Sequence, residues 1–493
     1  MIRRKVSVVL AFSGLLTSVG LLGCASAEEP RRLPSVTRFW SEEPLPSAAQ
    51  QPPSAVQQTS YLLQPEYPEN SDAFGSPVPV ETLVQYALAN TPEIQAARYR
   101  ARAMGARVPQ AASPADPQLM TTTFLNAIQT AAGPQEVAMS LSQRFPWFGK
   151  LALRSQVAYH DAMAAYAQLA AVELSVVERV KRAYYDIYFL QHAIAVTRSL
   201  EPRLEEVIEI TRDKYRTNKV GLESVLQAQI ELSSLKTSLV EQEQAKAEAV
   251  ARLAGLLHLP PDAAIRAEET LDRTKVAHTA RLLVELAESC QPELTARRRE
   301  IRRDRTSTEL ACREYWPDVT ASVNWFAIGS PGLSPVATGD DAYSLGVGVN
   351  LPLYRSRLDA AVREAQYNTL RSTRQYEATR DKVRAEVQAL YAQFVQHEKV
   401  LEILESQIVP QAGQSLDLSI EAFRVDRLEF QQLIDSYKML LKYQVDKYKR
   451  ESLRQQAIAS LERAVGSALT GGPFVAEADV RGLDDASTPL PPE

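Results

Sequence analysis

Two spacings of apolar residues alternate along this chain, and each predicts a different element. Val177, Val180, Tyr184, Ile187, Gln191 and Ile194 step by three and four, as do Val383, Val387, Leu390, Phe394, His397, Leu401 and Leu404. Such steps keep one stripe of a helix facing a partner, the pattern of a coiled coil, and each stripe holds one polar residue or histidine. From Phe148 to about Asn218 the helical run is roughly seventy residues, on the order of 100 Å at the α-helical rise. No globular core needs a helix of that length. It spans a distance.

Elsewhere the period falls to two. Along Val137–Phe145 and Tyr343–Leu351, large apolar side chains alternate with small or polar ones. Their predicted partners are approximately 117–127 and 318–328, the latter with Val319, Ala321, Val323 and Trp325 on one face. Four strands of about nine to eleven residues suit a tilted crossing of a bilayer. Ser140, Ser142, Ser344, Gly346, Gly348 and Asn350 then share a wet face, and the Val, Leu, Met and Tyr positions face lipid. A soluble four-stranded sheet with one buried face has the same alternation.

The pattern occurs twice. Leu83-Val84, Ala87 and Pro92-Glu93-Ile94 recur 200 residues later as Leu283-Val284, Ala287 and Pro292-Glu293-Leu294, and Asp116-Pro117-Gln118 recurs as Trp316-Pro317-Asp318. At an offset of 206, Phe145-Pro146-Trp147-Phe148 meets Leu351-Pro352-Leu353-Tyr354. At 208, Tyr215-Arg216-Thr217-Asn218 meets Phe423-Arg424-Val425-Asp426. Four ordered matches mark an internal repeat. Each copy runs from a helical stretch (81–110 and 280–315), through two strands, to a long helical hairpin. Pro92 and Pro292 fall at helix starts, where a missing N–H is harmless. Pro146 and Pro352 cannot donate to a ladder, so they belong at strand–helix junctions.

The ends of the chain differ from this core. Arg3-Arg4-Lys5 followed by the apolar run Val6–Leu22 reads as a secretory leader over 1–23. Leu21-Leu22-Gly23-Cys24 resembles the lipobox of bacterial lipoproteins, which implies acylation of Cys24 and an anchor in membrane lipid; Ala25 and Ser26 lack the aspartate of inner-membrane retention. Ten prolines between residues 25 and 79 make 24–79 an extended, lipidated tether. Two repeats follow, 80–279 and 280–470, and 471–493 is a Gly-, Pro- and Asp-rich tail.

Composition removes several functions. The formal charge of −5 becomes −8 once Arg3, Arg4 and Lys5 leave with the leader, so nucleic acid is no partner. Past residue 23 no stretch offers eighteen uninterrupted apolar residues, so no helix crosses a membrane. Only a closed barrel then satisfies the backbone in lipid, and known bacterial barrels begin at eight strands. Four per chain must be pooled among copies. His160, His192, His258, His278 and His397 form no ligand spacing, so no metal or other cofactor is expected. With no nucleophile–base set, the chain reads as no enzyme. Cys290 and Cys312 lie too far apart along a helix to pair and read as small buried side chains. Trp147, Phe148, Trp316 and Tyr354 fit an interfacial aromatic girdle.

The ordered, duplicated parts resemble the TolC family of outer-membrane efflux proteins over about residues 80–470. The supporting motifs are the 83–94 stretch, Ser142 to Lys150 at the strand–helix junction, and the two turns followed by Val225-Leu226 and Leu433-Ile434. The resemblance implies a mostly α chain with a membrane β-barrel, in which three copies complete twelve strands over an α-helical periplasmic tunnel. It further implies a homotrimer in the outer membrane, docked to a periplasmic adaptor and an inner-membrane pump, exporting small toxic molecules such as drugs or metal ions. Asn218 and Asp426 stand where the family usually has glycine. The family's acidic pair at the tunnel mouth matches Gln432 and Asp435, so one acid is kept; Glu429 adds a nearby charge to this pore entrance. An exit duct for type I protein secretion is the nearest alternative, and a lipid-anchored coiled-coil scaffold without a pore is another.

Overall fold

The computed structural model describes residues 77–469 except 272, 274, 275, 277 and 330–338. These all belong to the second of two units, which begins at Pro68. The first unit, the leader, Cys24, most of the tether and the 471–493 tail lie outside the described residues.

One set of elements is followed by a second in the same order. Helices α1 (Val80–Asn90), α2 (Pro92–Gly105) and α3 (Arg107–Ala112) lead to strands β1 (Gln118–Thr130) and β2 (Gly133–Phe145), then α4 (Lys150–Arg216) and α5 (Leu222–Leu256). The second set is α6 (Ala280–Cys290), α7 (Pro292–Arg313), β3 (Val319–Ile328), β4 (Ala342–Val349) and α8 (Arg355–Ile403). Helix α8 passes through a π-helical turn, Leu404–Ile408, into α9 (Val409–Arg424), and α10 (Phe430–Val465) returns. The helical stretches expected over 81–110 and 280–315 are each broken before a proline. Thr91 (φ −66°, ψ 123°) and Gln291 (φ −63°, ψ 118°) are extended, because the proline ring excludes a helical conformation for the residue before it.

The two seams read from the sequence form much of the interior. Val177, Val180, Tyr184, Ile187 and Ile194 are buried along α4, and Gln191, the polar member, donates to the Ala267 carbonyl at 3.2 Å. On the second seam Val383, Val387, Phe394, Leu401 and Leu404 are buried. Three apolar clusters result. One joins α1, α4 and α5; one joins the tip halves of α4, α5, α9 and α10; the third joins α6, α8 and α10. Helix α10 packs on α4 as well as α8, and so ties the second repeat to the first.

The strands form one antiparallel sheet in the order β1-β2-β3-β4. Ser140, Asn324 and Ser344 lie in register across three strands, and so do Leu141, Val323 and Leu345. The β1–β2 turn requires Gly133, which has φ 140°; a Cβ there would come within 2.1 Å of the Gly329 carbonyl oxygen.

The cysteine reading needs correction. Cys290 is half-buried and Cys312 exposed, both as free thiols. Helix α7 reaches α4 through Arg303 and α8 through Thr308, which turns the stripe of Arg298, Arg302, Arg305, Glu309 and Cys312 to solvent. The cysteine follows that helical phase rather than its own apolarity.

Candidate functional site

The sheet presents two chemically opposite faces. Met139, Leu141, Val323, Trp325, Leu345 and Val347 share one; Ser140, Ser142, Ser322, Asn324, Ser344 and Gly346 share the other. Asn324 Nδ2 donates to Ser344 Oγ at 3.1 Å across the polar face. The apolar face is left uncovered, with Leu345 85% and Val347 78% exposed. An uncovered apolar face of this size marks a surface that meets lipid or another chain. Both edges are also open: β1 pairs only with β2, and β4 only with β3, among the described strands. Open edges cannot persist in lipid. Among the described residues no helix is long and apolar enough to cross a membrane.

At the base of the sheet a charge cluster joins the two repeats. Lys150 Nζ donates to Asp318 Oδ1 (2.8 Å), to the Trp316 carbonyl (2.9 Å) and to Glu314 Oε2 (3.2 Å). Arg144 Nη2 donates to Asp318 Oδ2 at 2.6 Å, and the Trp147 amide to Asp318 Oδ1 at 3.1 Å. The Asp318 amide in turn donates to the side-chain oxygen of Asn350, at the end of β4. The Lys150 and Asp318 side chains are 0% and 2% exposed, so neither charge has water as an alternative partner. Burial alone pushes the Asp318 carboxyl up, but the bonds from Lys150, the Trp147 amide and Arg144 outweigh it and hold its pKa at about 2, below the ordinary 3.8. The Trp147 and Trp316 rings stack above this cluster, 5.3 Å apart. Gly149, at φ 83°, lets the chain turn from strand into helix just before Lys150.

Pro146 and Pro352 lie in the gaps between β2 and α4 and between β4 and α8. Of the aromatic residues expected at the membrane boundary, Phe148, Tyr354 and Trp316 are exposed and Trp147 is half-buried.

At the far end of the long helices the same turn is made twice. Asn218 (φ 57°) and Asp426 (φ 61°) are both left-handed. The Lys219 amide reaches back to the Lys214 carbonyl at 2.9 Å, and the Arg427 amide to the Ala422 carbonyl at 2.8 Å, closing equivalent helix caps. Asn and Asp tolerate this conformation better than other non-glycine residues. Asp426 also accepts from both Lys214 and Lys219, which ties the two tips together and holds its carboxyl below its ordinary pKa. Lys214 lies 4.8 Å from the centre of the Phe423 ring.

Glu429, Gln432 and Asp435 are exposed beside this tip. Glu429 precedes the first residue of α10, and Gln432 and Asp435 lie opposite the buried stripe of Phe430, Leu433, Ile434 and Tyr437. Asp435 accepts from Gln431 at 3.1 Å. Cys24 lies outside the described residues. No group of three or more His, Cys, Asp or Glu among the described residues could hold a metal. Sequence reasoning missed the roles of Lys150, Asp318 and Lys214. The first two close motifs that do stand out in the sequence, Phe145 to Lys150 and Trp316-Pro317-Asp318, but nothing local says that one answers the other.

A helical bundle thus carries a four-stranded sheet with one uncovered apolar face and two open edges among the described strands. The family model for outer membrane efflux proteins matches residues 83–257. The outer-membrane channel OprN shares the fold with a TM-score of 0.69 at 16% identity, over 79% of this chain and 90% of its own. VceC of Vibrio cholerae does so with a TM-score of 0.67 at 21% identity, over 79% and 96%. The open state of the MtrE channel of Neisseria gonorrhoeae gives 0.64 at 16%, over 79% and 89%. No curated protein sequence matches the chain. Residues 83–257 therefore resemble outer membrane efflux proteins, and the chain shares its fold with solved outer-membrane channels. The matched family model and the shared fold are those of channel proteins.

Proposed function

We propose that three copies of this chain close a twelve-stranded barrel in the outer membrane, above a helical tunnel that reaches into the periplasm. The observation that carries this reading is the four-stranded sheet with one uncovered apolar face and two open edges. With an even strand count β4 runs antiparallel to β1, so the free edge of one copy fits the free edge of the next, and head-to-tail pairing closes a ring. The helices support the same seam. Tyr99 on α2 and Tyr367 and Leu370 on α8 are exposed, as are Leu222, Leu226 and Ile230 on α5.

In this reading the duct is passive. A periplasmic adaptor and an energised inner-membrane pump deliver small toxic molecules, drugs or metal ions, to the tunnel mouth beside Glu429, Gln432 and Asp435. Three copies of Asp435 around the axis make the mouth favour cations. Acylated Cys24 adds a lipid anchor, and the division into leader, tether, two repeats and tail fits this arrangement. The test is to purify the full chain and measure it in a planar bilayer. A heat-resistant trimer with discrete single-channel steps is expected; a monodisperse single copy that leaves the bilayer silent would sink the proposal. Asp435→Ala is expected to weaken block by divalent cations, and unchanged block would remove that residue from the mouth.

A further inference from the structure

Helix α7 has two stripes on opposite sides, and their charges are met differently. Glu300, Arg303, Ser307, Leu310 and Glu314 form one, in steps of three and four. Arg303 reaches Asp161 of α4 at 3.0 Å, and Glu314 accepts from Arg154 (3.4 Å) and Lys150 (3.2 Å). Lys150 is tied in turn to Asp318, which also takes Arg144, and Arg144 alternates in phase with Ser142 and Ser140 on the polar face of the sheet. This stripe therefore continues the polar side, and its charges are matched within the chain.

Arg298, Arg302, Arg305, Glu309 and Cys312 form the second stripe, all exposed. Two residues out of phase is about 200° round a helix, so this stripe lies below the apolar face. Three residues past Cys312, the Tyr315 hydroxyl donates to Asp359 of α8, and the Arg355 guanidinium lies 5.4 Å from the centre of the Tyr315 ring. Arg363, one turn past Asp359, reaches its backbone carbonyl at 3.4 Å. Arg305, Arg313, Arg355 and Arg363 form no ion pair with any described residue. Arginines nearer the tips do find acids, as Arg198 finds Glu243 (2.5 Å) and Arg424 finds Glu206 (3.0 Å).

Height selects the partner for this unmatched charge. Arg313 and Arg355 border the sheet, beside the exposed rings of Trp316 and Tyr354 that mark its lower edge. Arg305 and Arg363 each lie eight residues deeper, about 12 Å along their helices. We propose that Arg355, stacked on Tyr315, binds the phosphate of an anionic glycerophospholipid in the leaflet that adjoins the helices, at one site per chain. The acyl chains then run up the uncovered face of Leu345 and Val347, while the guanidinium fork takes the phosphate oxygens. Arg313, Arg305 and Arg363 surround the site with a positive field that draws an anionic surface and fades within about a Debye length. A soluble anion would use the same arginines, but it gives no reason for their place directly below an apolar face. The site rests on the reading of the sheet as a lipid-crossing barrel.

The test is the lipid that the full-length protein retains after reconstitution into vesicles of phosphatidylcholine and phosphatidylglycerol in equal parts, followed by gentle re-extraction. Phosphatidylglycerol is expected to be kept about tenfold over phosphatidylcholine. Arg355→Gln combined with Arg313→Gln should bring the two lipids to parity, and Arg355→Lys should keep most of the preference. Arg357→Gln, two residues on and therefore on the other side of α8, should leave it intact. Parity in the unaltered chain overturns the site without any variant, and so does a preference that survives the paired change. Inorganic phosphate bound at Arg355 by protein that has met no lipid, with no preference between the two lipids, would make this a soluble-anion site and overturn it equally. A conducting trimer with lipid parity sinks this site alone, whereas a chain that stays outside the vesicles sinks the barrel and the site with it.

Discussion

The first repeat carries its long arm as one α-helix, from Lys150 to Arg216, whereas the second reaches the same depth through α8, a π turn and α9. Their ends differ in chemistry as well as in geometry. At the base of the sheet the first repeat supplies Arg144 and Lys150, and the second supplies Glu314 and Asp318. At the tips the first again supplies the cations, Lys214 and Lys219, and the second the acceptor, Asp426. The repeat equivalents of Arg144 and Lys150 are Asn350 and Ser356, and that of Asp318 is Gln118, so the base cluster occurs once per chain rather than twice. Two copies of one architecture have become complementary partners. One is an uninterrupted α-helix with cations at both ends, and the other an arm broken by a π turn.

The sharpest way to break this comparison is at the base. Asp318→Ala takes the buried carboxylate from the buried Lys150 ammonium and leaves it only the partly exposed Glu314 and the Trp316 carbonyl, and loss of a buried partner costs about 3–5 kcal/mol. The equivalent change in the first repeat, Gln118→Ala, should stay within about 0.5 kcal/mol, because the side chain is exposed. Thermal melting of the assembled protein compares the two directly, and equal losses would show that the cluster is not where the repeats are fastened.

The same carboxylate gives a pH signature. Because its folded pKa of about 2 is below the ordinary 3.8, the stability it supplies is present above about pH 4 and is lost as pH falls towards 2. That shift corresponds to about 2 kcal/mol. Asp318→Asn should melt without this acid-dependent component, and an unchanged acid slope would mean that other carboxylates dominate.

Removing the Tyr188 hydroxyl leaves buried Glu451 short of a donor, so Tyr188→Phe should cost about 1–3 kcal/mol in denaturant unfolding. Tyr437→Phe removes a bond to a backbone carbonyl, Leu200, and should cost about 1 kcal/mol. The reverse order would argue against the buried Glu451 pair as the stronger of the two α4–α10 bonds.

The smallest contrast is between the tips. Asn218→Gly relieves a left-handed residue and should be neutral or stabilising by up to about 1 kcal/mol. Asp426→Gly gains the same backbone relief but loses both lysine ties, so it should be the less favourable of the two. Matching melting shifts for both would show that the Asp426 ties to Lys214 and Lys219 contribute nothing.

Much of this architecture was legible one residue at a time. A three–four step of buried residues names a coiled coil wherever it occurs, and Val177 to Ile194 follows it along α4. Alternation placed the strands, and Pro146 and Pro352 fall where each strand gives way to helix, because a residue without an N–H cannot stay in a ladder. Other features were not legible. Lys150 and Asp318 lie 168 residues apart and meet only because two strand–helix junctions adjoin. The π turn has no periodic signature, since the sequence around Pro410 mirrors that around Pro202 in register. Cys312 looked apolar enough to bury, and the rotation of α7 turned it outward.

Local rules acting over a few residues therefore settled the kinds of element, their order and their duplication: helical phase, strand alternation, and the conformational limits of proline, asparagine and aspartate. Only the tertiary structure decided which charges face each other, which of two equivalent prolines loosens its helix, and which apolar surface stays uncovered. Those outcomes depend on what packing brings together across hundreds of residues, where burial turns an ordinary lysine and aspartate into partners that cannot be separated cheaply.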